Sequence, residues 1–131
     1  MLNPPSRYSN YRRSTELKVS GNQVEKSVDF YKRVLCMEEV TFANGRKAVA
    51  FGNQKINFQL LGQEPRNVAN VGSGDVCLIS DWPLTSVVNH LGKENVKIIE
   101  GPVEKSGAVG AIQSVYFLDL DKNLIEVSVY Q

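Results

Sequence analysis

The last third of the chain carries a carboxylate in the middle of an apolar strand pattern. Glu126 shares one predicted strand face with Leu124 and Ser128, while Ile125 and Val127 point to the other side. A strand that buries one face in a core can present such a carboxylate from its other face into a cavity. A hard metal ion or a polar ligand would suit that position. Spacing alone also leaves open an exposed glutamate on a solvent-facing strand.

Alternating and helical spacings divide the chain into two similar halves. The first half is predicted to form a strand over 14–20, a helix over about 23–35, and strands over 37–42, 47–51 and 55–61, with Asn44-Gly45 as a tight hairpin turn. The second half is predicted to form a strand over 75–80, a short helix opened by Pro83 and ended by Gly92, a strand over 96–99, a polar loop over 100–110, and a closing hairpin of strands 111–119 and 124–130.

The order β-α-β-β-β therefore occurs twice, which indicates duplication. We expect an α+β fold in which two βαβββ modules form a curled mixed sheet around a cleft. The predicted domain spans 14–131, with module one over about 14–61, a linker over about 62–74 and module two over about 75–130, and the tail 1–13 is predicted to be disordered. The polar strand faces are predicted to line the cleft with Ser14 or Glu16, Asn57 or Gln59, Asp75 and Glu126.

Composition and charge exclude several classes of protein. The formal net charge of +1 over 131 residues gives no electrostatic case for binding nucleic acid or an acidic membrane surface. No apolar run reaches the roughly 18 to 20 residues that cross a bilayer, and the N-terminus does not look like a secretory signal. Cys36 and Cys77 lie among apolar residues and are predicted to be reduced core thiols of a cytoplasmic protein. The only histidine, His90, is predicted to be a surface or helix-cap residue, and Trp82 to pack in the core or at a dimer contact.

Several segments of the chain carry a family pattern. They are 24–31, 33–38, 45–48, 51–57, 77–79, 100–103 and 123–128. Together they resemble the vicinal oxygen chelate superfamily, which includes glyoxalase I, the fosfomycin-resistance thiol transferases, bleomycin-resistance proteins and extradiol dioxygenases. The resemblance covers about residues 14–130 and is closest to the glyoxalase domain-containing protein 5 group. The turn 118–123 departs from the family, because it lacks the usual proline and glycine.

The resemblance implies a divalent metal ion held by inward-facing side chains of the first, fourth, fifth and eighth strands. Glu126 matches the eighth-strand ligand, Gln59 stands where the closest group has histidine, and Asp75 stands where other branches have histidine. On the first strand, counting back from the helix gives Glu16 as the ligand, and counting along the strand gives Ser14. Mn²⁺, Mg²⁺, Ni²⁺ and Zn²⁺ are the candidate ions. An all-oxygen set favours Mg²⁺ or Mn²⁺ over Zn²⁺ and predicts weak binding.

The same resemblance implies a function. Ser114 and Tyr116 share a face and resemble phosphonate contacts of the fosfomycin branch, and Asn57 and Lys105 are further predicted substrate contacts, Lys105 from a loop over the cleft. With Glu126 as ligand and base, we expect a metal-dependent lyase, isomerase or transferase for a small oxygenated metabolite, with an eroded metal site. The alternative is a non-catalytic binding or sequestering protein of the bleomycin-resistance type. A homodimer is expected, since many single-chain members build their clefts across a dimer.

Overall fold

The structure is a computed structural model that describes Met1, residues 13–21 and residues 23–131. Most of the predicted disordered tail therefore lies outside the described residues. The first half contains β1 (Arg13–Val19), α1 (Val24–Leu35), β2 (Glu38–Phe42), β3 (Arg46–Phe51) and β4 (Gln54–Leu60). The second half contains β5 (Asp75–Ile79), α2 (Leu84–Lys93), β6 (Glu100–Gly107), β7 (Gly110–Leu118) and β8 (Leu124–Tyr130). No helix of the described residues is both long and apolar enough to span a bilayer.

The strands form two four-stranded mixed sheets with the same topology. The first sheet has the order β1-β4-β3-β2 and the second the order β5-β8-β7-β6. In each sheet the first and last strands of the module pair in parallel, and the other neighbours pair antiparallel. The predicted α+β fold of two βαβββ modules is confirmed.

Local sequence accounts for most of these elements. In α1, Val28, Tyr31 and Val34 are buried at helical spacing, while charged residues occupy the outer face. The hairpin turn between β2 and β3 has positive φ angles at both Asn44 (61°) and Gly45 (74°). Because Phe42 pairs with Arg46, the strands are joined by the three residues Ala43–Gly45, so the turn predicted at Asn44-Gly45 is confirmed as part of a three-residue hairpin loop.

The segment after α2 differs from the prediction. The predicted strand 96–99 does not form. Val96 and Ile98 pack against the core at the spacing of a strand, but this stretch is an irregular connection between α2 and β6. The predicted loop 100–110 is instead mostly β6, which pairs with β7 and has a register shift between Glu100 and Val103. This strand is a sheet edge, where polar side chains and a register shift are tolerated, so its sequence lacks the alternation of a half-buried strand. Gly92 also lies inside α2 rather than ending it.

One hydrophobic cluster joins the two modules. It includes Leu17 and Tyr31 from the first module and Val115, Phe117 and Ile125 from the second. The Phe30 and Phe117 rings lie 6.4 Å apart between centroids, so helix α1 packs toward the second sheet. The core therefore takes the apolar faces of both sheets, and the opposite, polar faces are turned away from it.

The turn between β7 and β8 fastens the two modules together. The Tyr31 hydroxyl donates to Asp119 Oδ2 at 2.6 Å, and the Ser20 hydroxyl donates to Asp121 Oδ1 at 2.6 Å. Both carboxylates are nearly buried, at 9% and 8% exposure. The hairpin that carries Glu126 is thus held against α1 and the end of β1 by charge-assisted hydrogen bonds.

Candidate functional site

Polar side chains of the first sheet gather around Glu16. Parallel pairing sets Glu16 opposite Asn57 and Lys18 opposite Gln59, so all four side chains lie on one face. Glu16 Oε1 accepts a hydrogen bond from Asn57 Nδ2 at 2.7 Å, and Glu16 Oε2 accepts one from Gln59 Nε2 at 2.8 Å. Ser14 and Glu16 share this face and both are exposed, but Ser14 lies opposite Lys55 rather than opposite Asn57. Of the two first-strand candidates, Glu16 is therefore the one in contact with the fourth strand.

Lys18 completes this cluster from the same strand as Glu16. Its side chain is buried, with 2% of the residue exposed, and its ammonium donates to Gln59 Oε1 at 2.9 Å. Asn67 Nδ2 donates to the same oxygen at 3.0 Å. The hydrogen-bond network assigns the orientation of the Gln59 amide, because its oxygen faces two donors and its nitrogen faces a carboxylate. Sequence reasoning missed Lys18, since alternation placed it on the polar face and said nothing of its partner.

Polar side chains of the second sheet gather around Glu126. Glu126 Oε2 lies 2.7 Å from Ser114 Oγ and 2.9 Å from Ser128 Oγ, and the two hydroxyl oxygens lie 2.7 Å apart, so the three oxygens share two hydroxyl hydrogens. Antiparallel pairing sets Ser114 opposite Ser128 and Tyr116 opposite Glu126. Both serines are fully buried, whereas Glu126 is half-buried. The carboxylate is therefore held from below by hydroxyl groups and remains partly accessible.

Tyr116 lies beside this carboxylate and keeps its proton at neutral pH. Desolvation, together with the hydrogen bond to Glu126 and its charge, raises the pKa of Tyr116 to about 12. Lys105 Nζ lies 5.6 Å from the centroid of the Tyr116 ring and 3.6 Å from a carboxylate oxygen of Glu100. Lys105 was predicted in a loop, but it lies on the edge strand β6, whose sequence lacks the alternation of a half-buried strand.

Cys77 is a second residue that sequence reasoning placed wrongly. It was predicted as a core thiol, but both cysteines are exposed and free, because Cys77 faces away from the core and Cys36 follows the end of α1. Parallel pairing sets Cys77 opposite Glu126, and its Sγ lies 3.6 Å from Ser128 Oγ. Burial of the sulfur and the Glu126 carboxylate raise the pKa of the thiol, so it is not an activated nucleophile. The sequence did contain a signal for this position, because strand alternation puts Cys77 on the same face as Asp75 and opposite to the face of Val76 and Leu78.

The four predicted metal ligands do not form one cluster in this chain. Glu16 and Gln59 lie on the first sheet, and Asp75 and Glu126 lie on the second, where Asp75 stands opposite Leu124. Among the described residues, no group of three histidine, cysteine, aspartate or glutamate side chains could hold a metal ion.

The chemistry of the donors also fits a metal poorly. Both Glu16 oxygens and Gln59 Oε1 already accept N–H donors, although a bound cation would need those oxygens directed toward it. His90 Nε2 lies 2.9 Å from the Arg33 carbonyl at the end of α1, away from both clusters.

A cavity of about 430 Å³ opens beside the Glu126 cluster. It is lined by the turn between β3 and β4 and by β5, namely Phe51, Gly52, Asn53, Gln54, Cys77, Leu78, Ile79 and Asp81. Cys77 is the residue that the cavity shares with the surroundings of Glu126. A small molecule seated there would lie between the two modules and beside the polar face of the second sheet.

Comparison with known proteins relates the chain to glyoxalase-type proteins. No protein-family model matches it. It is 42% identical over 118 residues to the glyoxalase domain-containing protein RDO1 of Mycosarcoma maydis, a match that covers 88% of the chain and 66% of that relative. The chain thus spans just under two thirds of RDO1. It is 40% identical over 121 residues to virulence protein STM3117 of Salmonella typhimurium, covering 90% of the chain and 84% of the relative.

Solved structures show the same architecture. The crystal structure of STM3117 superposes with a TM-score of 0.81 at 39% identity and covers 89% of the chain and 95% of its own. Structures below 25% identity share the fold alone. They are a lactoylglutathione lyase from Agrobacterium tumefaciens (TM-score 0.65), the antibiotic binding protein TnmS3 from Streptomyces (0.70), and a member of the glyoxalase/bleomycin resistance protein/dioxygenase superfamily from Sphaerobacter thermophilus (0.66).

Proposed function

Because the chain belongs to the glyoxalase/bleomycin resistance/dioxygenase superfamily, we propose that it binds a small oxygen-rich molecule at Glu126 without a divalent metal ion. The observation that carries this proposal is the Glu126 cluster, a half-buried carboxylate supported by two buried hydroxyl groups. Predicted closeness to the glyoxalase domain-containing protein 5 group stays a prediction.

The groups around Glu126 suit a ligand that both donates and accepts hydrogen bonds. Ser114 and Ser128 both contact Oε2, which leaves Oε1 as the oxygen without a serine partner. A ligand hydroxyl can donate to that oxygen. The phenolic oxygen of Tyr116, whose own hydrogen is directed at Glu126, can accept a hydrogen bond from a second ligand donor. Lys105 supplies a nearby positive charge for an anionic group. These are the few convergent polar groups that a small-molecule site uses for orientation.

We further propose a homodimer. The polar faces of both sheets are turned away from the shared core. On the second sheet this face also carries exposed apolar side chains. Ile79 is 44% exposed and Leu118 is 39% exposed, on the same face as Glu126. A second copy that covers this face would bury these side chains and close a cleft over Glu126. Light scattering of the purified protein tests the proposal, and a strictly monomeric mass would contradict it.

A metal-dependent lyase, isomerase or transferase is the second candidate. Glu126 Oε1 favours it, because that oxygen is not taken by a serine and could meet a cation across a dimer cleft. The first-sheet residues favour it less, since the oxygens of Glu16 and Gln59 already accept N–H donors. We therefore place the binding protein first, as a sequestering type like the bleomycin-resistance proteins.

Calorimetric titration with defined probes separates the two candidates. The probes are a 2-oxoaldehyde hemithioacetal and fosfomycin, as the resemblance to glyoxalase I and the fosfomycin branch implies. We expect one of them to bind in EDTA and to bind at least tenfold more weakly to Glu126→Gln. The control Glu104→Gln changes an exposed carboxylate on β6 and should leave the affinity unchanged. Binding or turnover that requires Mn²⁺ would favour the enzyme, and an unaffected Glu126→Gln would contradict the proposed site.

A further inference from the structure

Lys18 is a buried charge that no carboxylate of the described residues contacts directly. No Asp or Glu oxygen of the described residues lies within 4.0 Å of its ammonium, although the residue is only 2% exposed. Removing an ammonium from water is unfavourable unless hydrogen bonds and an opposite charge compensate for the lost hydration. Gln59 supplies the hydrogen bond, and the compensating charge must come through it.

The Gln59 amide links the ammonium to Glu16. Its carbonyl oxygen accepts from Lys18 and its nitrogen donates to Glu16, so a positive and a negative group lie at the two ends of one amide dipole. Each charged end polarises the amide in the direction that strengthens the other bond. Glu16 and Lys18 therefore form an ion pair with one amide between them.

Asn57 shows how strongly Glu16 holds its N–H donors. Its amide nitrogen donates to Glu16, while its Oδ1 is buried and has no hydrogen-bond partner among the described residues. If the amide were turned over, Oδ1 would face the Glu16 carboxylate and the two oxygens would repel each other. The observed orientation keeps the N–H donor on Glu16 and leaves Oδ1 without a partner in the described part of the chain. A buried unpaired acceptor is unfavourable, which indicates that the donor side is required.

We propose that the Lys18 ammonium takes the place of a divalent cation in the first-sheet cluster. The oxygens that could bind a metal are turned to N–H donors, and the positive charge that they need is already covalently part of the chain. This inference goes beyond the proposed function because it concerns the ligand-free protein. It holds or fails whether or not either probe binds at Glu126.

Thermal unfolding of the ligand-free protein tests it through a double-mutant cycle. Glu16→Gln removes the negative end and leaves Lys18 buried without its opposite charge, so it should lower the melting temperature by a few degrees. The same change in a Lys18→Met background should have a clearly smaller effect, because no buried ammonium remains. Lys26→Met, an exposed lysine on the outer face of α1, is the matched control and should not alter the effect of Glu16→Gln. Equal effects of Glu16→Gln in all three backgrounds would overturn the proposal.

Metal is the second readout. The melting temperature of the unaltered chain should be the same in EDTA and in about 1 mM Mn²⁺. A specifically bound ion whose free concentration is about 100 times its Kd would instead raise the melting temperature by several degrees. A Mn²⁺-dependent rise that disappears in Glu16→Gln would overturn the proposal. If Lys18→Met does not fold, Lys18→Gln keeps a donor for Gln59 Oε1 without the charge and completes the same cycle.

Discussion

Removing the Tyr31 hydroxyl tests how the two modules are held together. Tyr31 is fully buried, and its hydroxyl donates to Asp119 Oδ2 at 2.6 Å across 88 residues of sequence. Tyr31→Phe keeps the ring, which packs against Phe58 at 5.3 Å and against Phe30 at 5.6 Å between centroids. The substitution therefore removes one hydrogen bond and little packing.

The expected loss of unfolding free energy depends on the hydrogen bonds that Asp119 retains in Tyr31→Phe. A hydrogen bond to a charged group contributes about 1.5 to 3 kcal/mol. After the substitution, Asp119 still accepts from the backbone N–H of Asp121, the backbone N–H of Asn123 and Asn123 Nδ2, each at 2.9 Å. Because the carboxylate is not left unpaired, we expect the low end, about 1.5 to 2 kcal/mol of lost unfolding free energy.

Urea unfolding followed by tryptophan fluorescence measures this loss. The midpoint should fall with an unchanged slope, since the amount of surface exposed on unfolding stays the same. Tyr130→Phe is the control, because the Tyr130 side chain is half-buried and makes no hydrogen bond among the described residues. A Tyr31→Phe loss below about 0.5 kcal/mol, or one equal to the control, would refute the view that this bond fastens the modules.

The same hydroxyl makes stability depend on alkaline pH. Burial raises the pKa of Tyr31 well above its usual value, and Asp119 adds to this through its charge and its hydrogen bond. A raised pKa in the folded state means that the unfolded chain loses the proton first, so stability is fully present below about pH 10 and falls as the pH rises above it. Urea midpoints measured between pH 8 and 11 should fall less steeply for Tyr31→Phe. Parallel profiles would contradict the assignment.

Three further predictions follow from local geometry. Lys122 has a φ of 67°, which favours glycine, so Lys122→Gly should raise the unfolding free energy by about 0.5 to 1 kcal/mol, and a lower urea midpoint would contradict this. Glu126→Gln should lower the pKa of Tyr116 from about 12, as read from the absorbance of ionised tyrosine against Tyr116→Phe, and an unchanged titration would argue against the contact. Gly101 has a φ of 102°, and an added Cβ would overlap the Ser114 carbonyl oxygen, so Gly101→Ala should destabilise the chain by at least about 1 kcal/mol in the same urea assay. A neutral Gly101→Ala would show that β6 can move away from β7.

Elements with a strong spacing pattern were predictable from the sequence. Strand β8 occupies the predicted residues, and α1 begins one residue after its predicted start. Both bury one face in the core, so their apolar residues recur at the period of the element. The edge strand β6 buries little on either face, which leaves no period to detect and made it look like a loop.

The candidate site was predictable by strand face but not by partner. Alternation placed Glu16, Gln59 and Glu126 on polar faces, where the structure has them. It could not show that Lys18 is buried against Gln59, because this depends on the register between β1 and β4, which are 41 residues apart at this contact. It also could not show that the polar faces belong to two separate sheets, so residues that the resemblance grouped as one ligand set appear as two clusters.

The central claim is that the site binds its ligand without a divalent metal ion. Calorimetric titration of Mn²⁺ into the purified chain tests this claim most directly. The chain and its Glu126→Ala variant are compared after treatment with EDTA and buffer exchange. We expect no stoichiometric binding up to about 1 mM for either protein, because N–H donors occupy the Glu16 and Gln59 oxygens. One Mn²⁺ per chain, bound by the unaltered protein and lost in Glu126→Ala, would contradict the claim and restore the metal-dependent enzyme.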